Sequence, residues 1–160
     1  IIGRAHSIRE DFEIRTSFIV GFPREGIKEF NALENFLEKH RIDKLALFRY
    51  SHEKGTYAGD KLVETLGDEE KYRRINKLRE QHILSRKKYA TGLIGKTEMM
   101  IVDEVGRAEV TLRRAHDAPE SDEVVMALLG KNKLQVGQMP KVTIKAYTEY
   151  AFIGEIVPLL

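Results

Sequence analysis

The spacing of apolar residues changes once along this chain, and that change most constrains what it can fold into. Up to about Thr91 the apolar residues fall either in short β-branched runs or at the three-to-four-residue spacing of a helix. From residue 96 onward no helix-period segment of useful length occurs. Short strand-like runs replace it: Thr97–Val102, Ala108–Arg113, Glu123–Leu129, Lys141–Tyr147 and Phe152–Val157, punctuated by Gly106, Gly130, Gly137 and Gly154. Five short strands in so little chain predict a small all-β, five-stranded barrel, because closure removes the edges an open sheet would expose. A domain boundary is therefore expected near residue 92, separating 1–91 from 92–160.

The first part reads as α/β. Ile14 to Phe22 (IRTSFIVGF) has a buried-strand composition and ends in Gly-Phe-Pro. Ile27, Phe30, Leu33, Phe36 and Leu37 then recur at helical spacing within residues 26–41. Lys44 to Tyr50 (KLALFRY) reads as a second strand. Strand, helix, strand with short links predicts a parallel pair with a right-handed crossover. Two such strands with so few helices cannot cover both sheet faces, so this part is expected to be an incomplete piece of a larger α/β body. The polar, glycine-containing loop Ser51 to Asp60 follows the second strand, at the edge where parallel sheets bind ligands. Asp68, with Glu69 and Glu70, opens a long helix to about Tyr89. Its expected apolar stripe is Tyr72, Ile75, Leu78, His82 and Ile83. Its cations (Lys71, Arg73, Arg74, Lys77, Arg79, Arg86, Lys87, Lys88) are either a solvated face or a phosphate-tracking one.

Composition excludes several chemistries. The chain has no cysteine, so disulfides, Cys-ligated zinc and thiolate-held iron–sulfur clusters are ruled out within it. The five histidines show no ligand spacing, and no Ser/His/Asp grouping marks a nucleophile. Net charge is +2, but it divides: residues 1–90 carry nineteen Lys or Arg against fifteen Asp or Glu, and residues 91–160 carry eight against ten. A small barrel gripping RNA through phosphates is usually basic, and this one is not. No apolar run approaches a membrane span and no secretory pattern opens the chain, so a cytoplasmic protein without a membrane partner is expected. The opening Ile1-Ile2-Gly3-Arg4, without methionine, reads as the start of an internal piece.

Several stretches in order carry a resemblance. They are Thr16 to Pro23 (TSFIVGFP), Phe48 to Thr56 (FRYSHEKGT), Arg113 to Asp122 (RRAHDAPESD) and Thr148 to Ile156 (TEYAFIGEI). Together they resemble the C-terminal part of the radical S-adenosylmethionine methylthiotransferases, over essentially the whole chain. Glu53 and the acidic Asp117-Ala118-Pro119-Glu120 stretch resemble the RimO branch, which modifies an aspartate of a small-subunit ribosomal protein. The related branch that modifies a tRNA adenosine is the next reading, and a non-catalytic RNA- or ribosome-binding module the one after it. Two positions depart from the family pattern: Gly-Phe-Pro is followed by Arg24 rather than glycine, and Asp122 by Glu123 rather than glycine.

The resemblance implies a fold, a cofactor set and roles. The first part would be the end of a radical-SAM β/α partial TIM barrel and the second a TRAM domain, OB-like. Ser17, Gly21, Phe22, Pro23, Tyr50 and Ser51 would border S-adenosylmethionine, although turn and capping roles account equally well for Ser51 and Thr56. Arg113, His116, Asp117, Glu120 and Asp122 would dock the ribosomal protein or the 30S particle, with RNA contact possible, unless they form only a solvated hairpin loop. The full-length enzyme would use two 4Fe–4S clusters held by cysteines absent here. One would cleave the cofactor to a radical that takes hydrogen from the aspartate β-carbon, and the other would supply sulfur. This cysteine-free piece alone is expected to be inactive.

Overall fold

The computed structural model describes residues 1–119, 121–148 and 151–158. The chain divides into two compact units, 1–86 and 87–160.

In unit 1, helix α1 (Ile2–Ile8) precedes β1 (Arg15–Val20), α2 (Ile27–Lys39), β2 (Lys44–Arg49), α3 (Tyr57–Lys61) and the long α4 (Asp68–Thr91), whose last turn belongs to unit 2. Strands β1 and β2 pair in parallel, in register from Arg15 opposite Lys44 to Val20 opposite Arg49. The βαβ reading of the sequence is thus what forms. Alternation along each strand sends Phe18 and Val20 into the core with Phe30, Leu37, Ile42, Ile75 and Leu78. It sends Ile19 and its register partner Phe48 outward, both more than half exposed, so one face of this sheet is uncovered. Glu29 opens α2 by accepting a hydrogen bond from the Gly26 N–H (3.0 Å). Ile27, expected on the buried stripe, lies exposed at the first turn.

Helix α4 departs further from expectation. Ile75 and Leu78 are buried, but Tyr72 and Ile83 are exposed, and Lys71, Arg74 and Arg86 are buried instead. The helix turns a charged edge inward because acidic partners meet it there. Arg74 pairs with Glu25 and Glu70, and Lys71 with Glu64 and Asp68. On its outer side Arg73 pairs with Glu70, and Lys77 with Glu34. Much of the positive charge that a phosphate-tracking face would need is therefore spent on internal pairs.

Among its described residues unit 2 has six strands, not five: β3 (Thr97–Met99), β4 (Ile101–Val105), β5 (Glu109–Arg113), β6 (Val124–Leu128), β7 (Lys141–Tyr147) and β8 (Ala151–Ile156). The extra strand arises because the single run predicted over 97–102 changes partner at Met100. Residues 97–99 pair with β7, and residues 101–105 pair with β5. The sheet order is β3-β7-β8-β6-β5-β4, so its two end strands are consecutive in the chain. The sheet curls until these ends meet. Along the seam the Met100 N–H donates to the Pro140 carbonyl (3.0 Å), Val102 N–H to Gln138 (2.9 Å) and Gly137 N–H back to Val102 (2.8 Å). Inside lie Met100, Val102, Val110, Leu112, Val125, Val142, Ile144 and Phe152. Gly154 is obligatory here, since a Cβ would lie 2.5 Å from Val142 Cγ1 and 2.9 Å from Val125 Cγ1. The β/α partial barrel implied by the resemblance is represented by one parallel strand pair only.

Candidate functional site

Parallel pairing brings the C-terminal ends of β1 and β2 side by side, and with them five of the six residues expected at a cofactor. The Tyr50 N–H continues the ladder by donating to the Val20 carbonyl (2.9 Å). This sets the Tyr50 ring edge-on to Phe22, with centroids 5.3 Å apart at 75°. Pro23 and Gly21 are buried, whereas Phe22 keeps an exposed face. The Tyr50 hydroxyl is buried and makes no hydrogen bond among the described residues. Ser51 is exposed beside this group. Ser17 is not at the strand end as expected. It sits in mid-strand opposite Ala46, on the uncovered face with Ile19 and Phe48.

The turn after β1 is built around two left-handed residues, Gly21 (φ +79°) and Arg24 (φ +77°). Gly21 cannot be replaced cheaply: a Cβ there would lie 2.5 Å from the Lys71 Cγ. Glu25 ties the turn together, one carboxylate oxygen accepting from the Gly21 N–H (2.9 Å) and the other from Arg74 (2.7 Å). Arg24 holds the position where the resemblance leads one to expect glycine, and it keeps glycine's backbone conformation. Arg24→Gly is accordingly expected to raise the stability of unit 1 by about 0.5–1 kcal/mol, the relieved left-handed strain being partly offset by added freedom in the unfolded chain. An upward shift of the urea midpoint would register it.

Lys71 underlies this site and was read from sequence only as one cation of a basic helix. Its stem packs on Gly21. Its ammonium donates to the Tyr50 carbonyl (3.3 Å) and to Glu64, and lies 5.6 Å from the centre of the Tyr50 ring. Burial, and then the nearby charge of Arg49, push its pKa below the usual lysine range. Thr56 takes the capping alternative: its hydroxyl oxygen accepts from the Gly59 N–H (3.0 Å) at the start of α3.

In unit 2 the loop after β5 is braced from within. Arg113 forks onto Asp103 (2.9 and 3.1 Å) and reaches the Asp117 carbonyl (3.4 Å). Asp122 accepts from the Ala118 N–H (2.7 Å). Asp117 is buried, and among the described members of the expected docking set His116 is the exposed one. Glu120 lies outside the described residues. Arg114, not singled out from sequence, is almost fully buried, forks onto Glu98 (3.1 and 3.4 Å) and covers the Phe152 ring at 5.5 Å. Its position was legible in the period-two series Val110, Leu112, Arg114, which points inward throughout.

Residues 94–157 match the TRAM domain family. Along almost its whole length the chain is similar to proteins named ribosomal protein uS12 methylthiotransferase RimO. The relative from Herpetosiphon aurantiacus is 39% identical across 98% of this chain, that from Leptospira biflexa 38% across 94%, and that from Prosthecochloris aestuarii 34% across 97%. The chain belongs to the RimO family. It spans about a third of the length of these curated relatives, 34%, 33% and 36% respectively. Among the described residues no group of three His, Cys, Asp or Glu is placed to hold a metal ion, and no helix is long and apolar enough to cross a membrane. The Gly21–Phe22–Tyr50 group offers an apolar wall and an unsatisfied buried hydroxyl.

Proposed function

We propose that this chain is part of a cytoplasmic methylthiotransferase that modifies an aspartate β-carbon of ribosomal protein uS12, with unit 1 contributing to the cofactor pocket and unit 2 docking the target. The observation that carries this reading is the similarity to RimO proteins along 98% of the chain. In this reading unit 1 is one segment of a β/α barrel. The uncovered face bearing Ser17, Ile19 and Phe48 belongs to its interior, which further strands would enclose.

S-adenosylmethionine, when bound, supplies the hydrogen-abstracting radical and the methyl group. The chain's own residues hold and shield it. Gly21 leaves room for close backbone approach, Phe22 and Pro23 form an apolar wall, and the Tyr50 hydroxyl is a donor without an acceptor that a polar cofactor atom would satisfy. Lys71 and the Glu25–Arg74 pair fix the two strand ends from beneath. On unit 2, His116 with the loop braced by Arg113, Asp117 and Asp122 would meet the target. The net negative charge of 91–160 suits a cationic ribosomal protein better than RNA.

The test is the mass of uS12 from cells lacking the gene that encodes this chain. Loss of one methylthio increment at an aspartate is expected, restored by the full gene and not by the 160-residue piece, which has no cysteine for either cluster. Unchanged uS12 overturns the proposal. Loss of a methylthio group from a tRNA adenosine instead moves the protein to the tRNA-modifying branch.

A further inference from the structure

Unit 2 carries a cavity of about 610 Å³ beside β3 and β7, outside the loop assigned to target docking. Met99, Leu134, Met139 and Val157 form its apolar lining, with Met99 and Met139 each close to half exposed. Exposed apolar side chains scattered singly need no explanation, but these converge on one concavity. The volume lies within the roughly 300–1,000 Å³ of ordinary binding sites.

Its wall is the segment 131–141, KNKLQVGQMPK, which holds three lysines and no acidic residue in a unit that is otherwise net negative. Lys133 and Lys141 both line the cavity. Neither takes part in an ion pair among the described residues, in contrast to Lys145, which pairs with Glu155 at 2.5 Å. The wall is preformed. Besides the seam bonds to Val102 and Met100, the Gln138 N–H donates to the Gln135 carbonyl (3.1 Å), and the Gln138 side chain accepts from the Gln135 N–H (2.9 Å).

Cationic rim and apolar floor suit two macromolecules, and the lining separates them. Single-stranded nucleic acid is gripped by stacking on aromatic rings or guanidinium planes. This cavity is lined by no aromatic residue and no arginine among the described residues. Thioether and aliphatic side chains adapt instead to aliphatic side chains of a partner. We infer that this cavity docks an extended peptide segment of a partner protein, one or two aliphatic side chains entering it while neighbouring carboxylates meet Lys133 and Lys141. The inference stands apart from the docking of uS12 by the loop after β5, and its failure leaves that reading intact.

The probe is a pool of fluorescent twelve-residue peptides with one or two leucines or methionines among glutamates and aspartates, beside the same pool with lysine for each acid. Anisotropy with the 160-residue chain is expected to show binding of the acidic pool at least about tenfold tighter than the basic one, weakening as salt rises. Met139→Glu and the double variant Lys133→Glu/Lys141→Glu are each expected to weaken binding at least about tenfold. All three side chains are exposed, and circular dichroism on each variant confirms that the fold is kept. Binding that ignores the variants, or equal binding of the two pools, overturns the inference. So does a poly-uridine probe that displaces the peptides and is lost in the lysine double variant, which makes the site one for nucleic acid. Binding seen only after Leu159 and Leu160 are removed also overturns it, because the chain's own end is then the occupant.

Discussion

Arg74→Ala is expected to destabilise unit 1 by about 3–5 kcal/mol, a large part of the roughly 5–15 kcal/mol that holds a domain together. The size comes from what is left behind. The Arg74 side chain is 5% exposed and gives its guanidinium to Glu25 and Glu70 while lying 4.9 Å from the centre of the Phe30 ring. Without it the Glu25 carboxylate stays inside, held by the Gly21 N–H and no cation. The turn after β1 then loses its anchor to α4, and the geometry of the candidate site goes with it. Arg74→Lys should fall between, keeping the charge but not the fork. The pair Glu25→Gln with Arg74→Met should recover part of the loss, because no buried charge then lacks a partner. Urea unfolding followed by far-ultraviolet circular dichroism reads all three. Acid offers a second reading. Hydrogen bonds from Arg73 and Arg74 hold the Glu70 carboxyl at about 2, against an ordinary value of 4.5. A depressed carboxyl contributes stability above its unfolded value, and that contribution is lost as pH falls from about 4.5 toward 2. Arg74→Ala should shrink this acid-dependent loss without abolishing it, since Arg73 remains.

Phe152→Ala is expected to cost unit 2 about 3–5 kcal/mol, the range for truncating a fully buried aromatic residue. Phe152 stands opposite both Val125 of β6 and Tyr147 of β7, so its ring fills the middle of the curled sheet. The Tyr147 ring lies 4.8 Å away, and the Arg114 guanidinium covers the other contact at 5.5 Å. Removing the ring leaves a void and takes one wall from a buried cation, while the Arg114–Glu98 fork survives. Phe152→Leu should cost clearly less, because much of the volume is kept. Differential scanning calorimetry on the two variants separates volume from mere substitution. Equal destabilisation by both would show that the ring's shape, rather than its bulk, sustains the sheet.

The βαβ portion was legible because two periodicities, two and three-to-four, alternate cleanly from Ile14 to Tyr50. The inward face of α4 was not. Lys71 and Arg74 count as polar in any periodicity, yet their stems pack well and their charges meet Glu64, Asp68, Glu25 and Glu70. Only the fold brings Glu25 to a helix that begins more than forty residues later. The run at 97–102 kept a single alternation through Met100, and a change of hydrogen-bonding partner leaves no mark on alternation. At the candidate site, the Gly-Phe-Pro stop and Tyr50 marked the strand ends in the sequence, while the expectation of a cofactor beside them came from the family resemblance. The internal duties of Arg113, Asp117 and Asp122 stayed hidden because Asp103 faces Arg113 only once β4 and β5 pair.

The change of partner at Met100 also bears on how unit 2 reaches its native state. Strand β4 meets β5 across a short hairpin, but β3 meets β7 across more than forty residues of chain. Because one backbone segment supplies both strands, a one-residue slip at either pairing would drag the other out of alignment and turn its side chains to the wrong face. Correct pairing of the early hairpin thus rules out wrong answers at the distant one. The closing step, which carries the high loop-entropy cost, comes last and has one alignment to find. Met100 works as a shared index mark for two ladders, so a proline there should slow refolding more than its loss of one hydrogen bond to Pro140 would suggest.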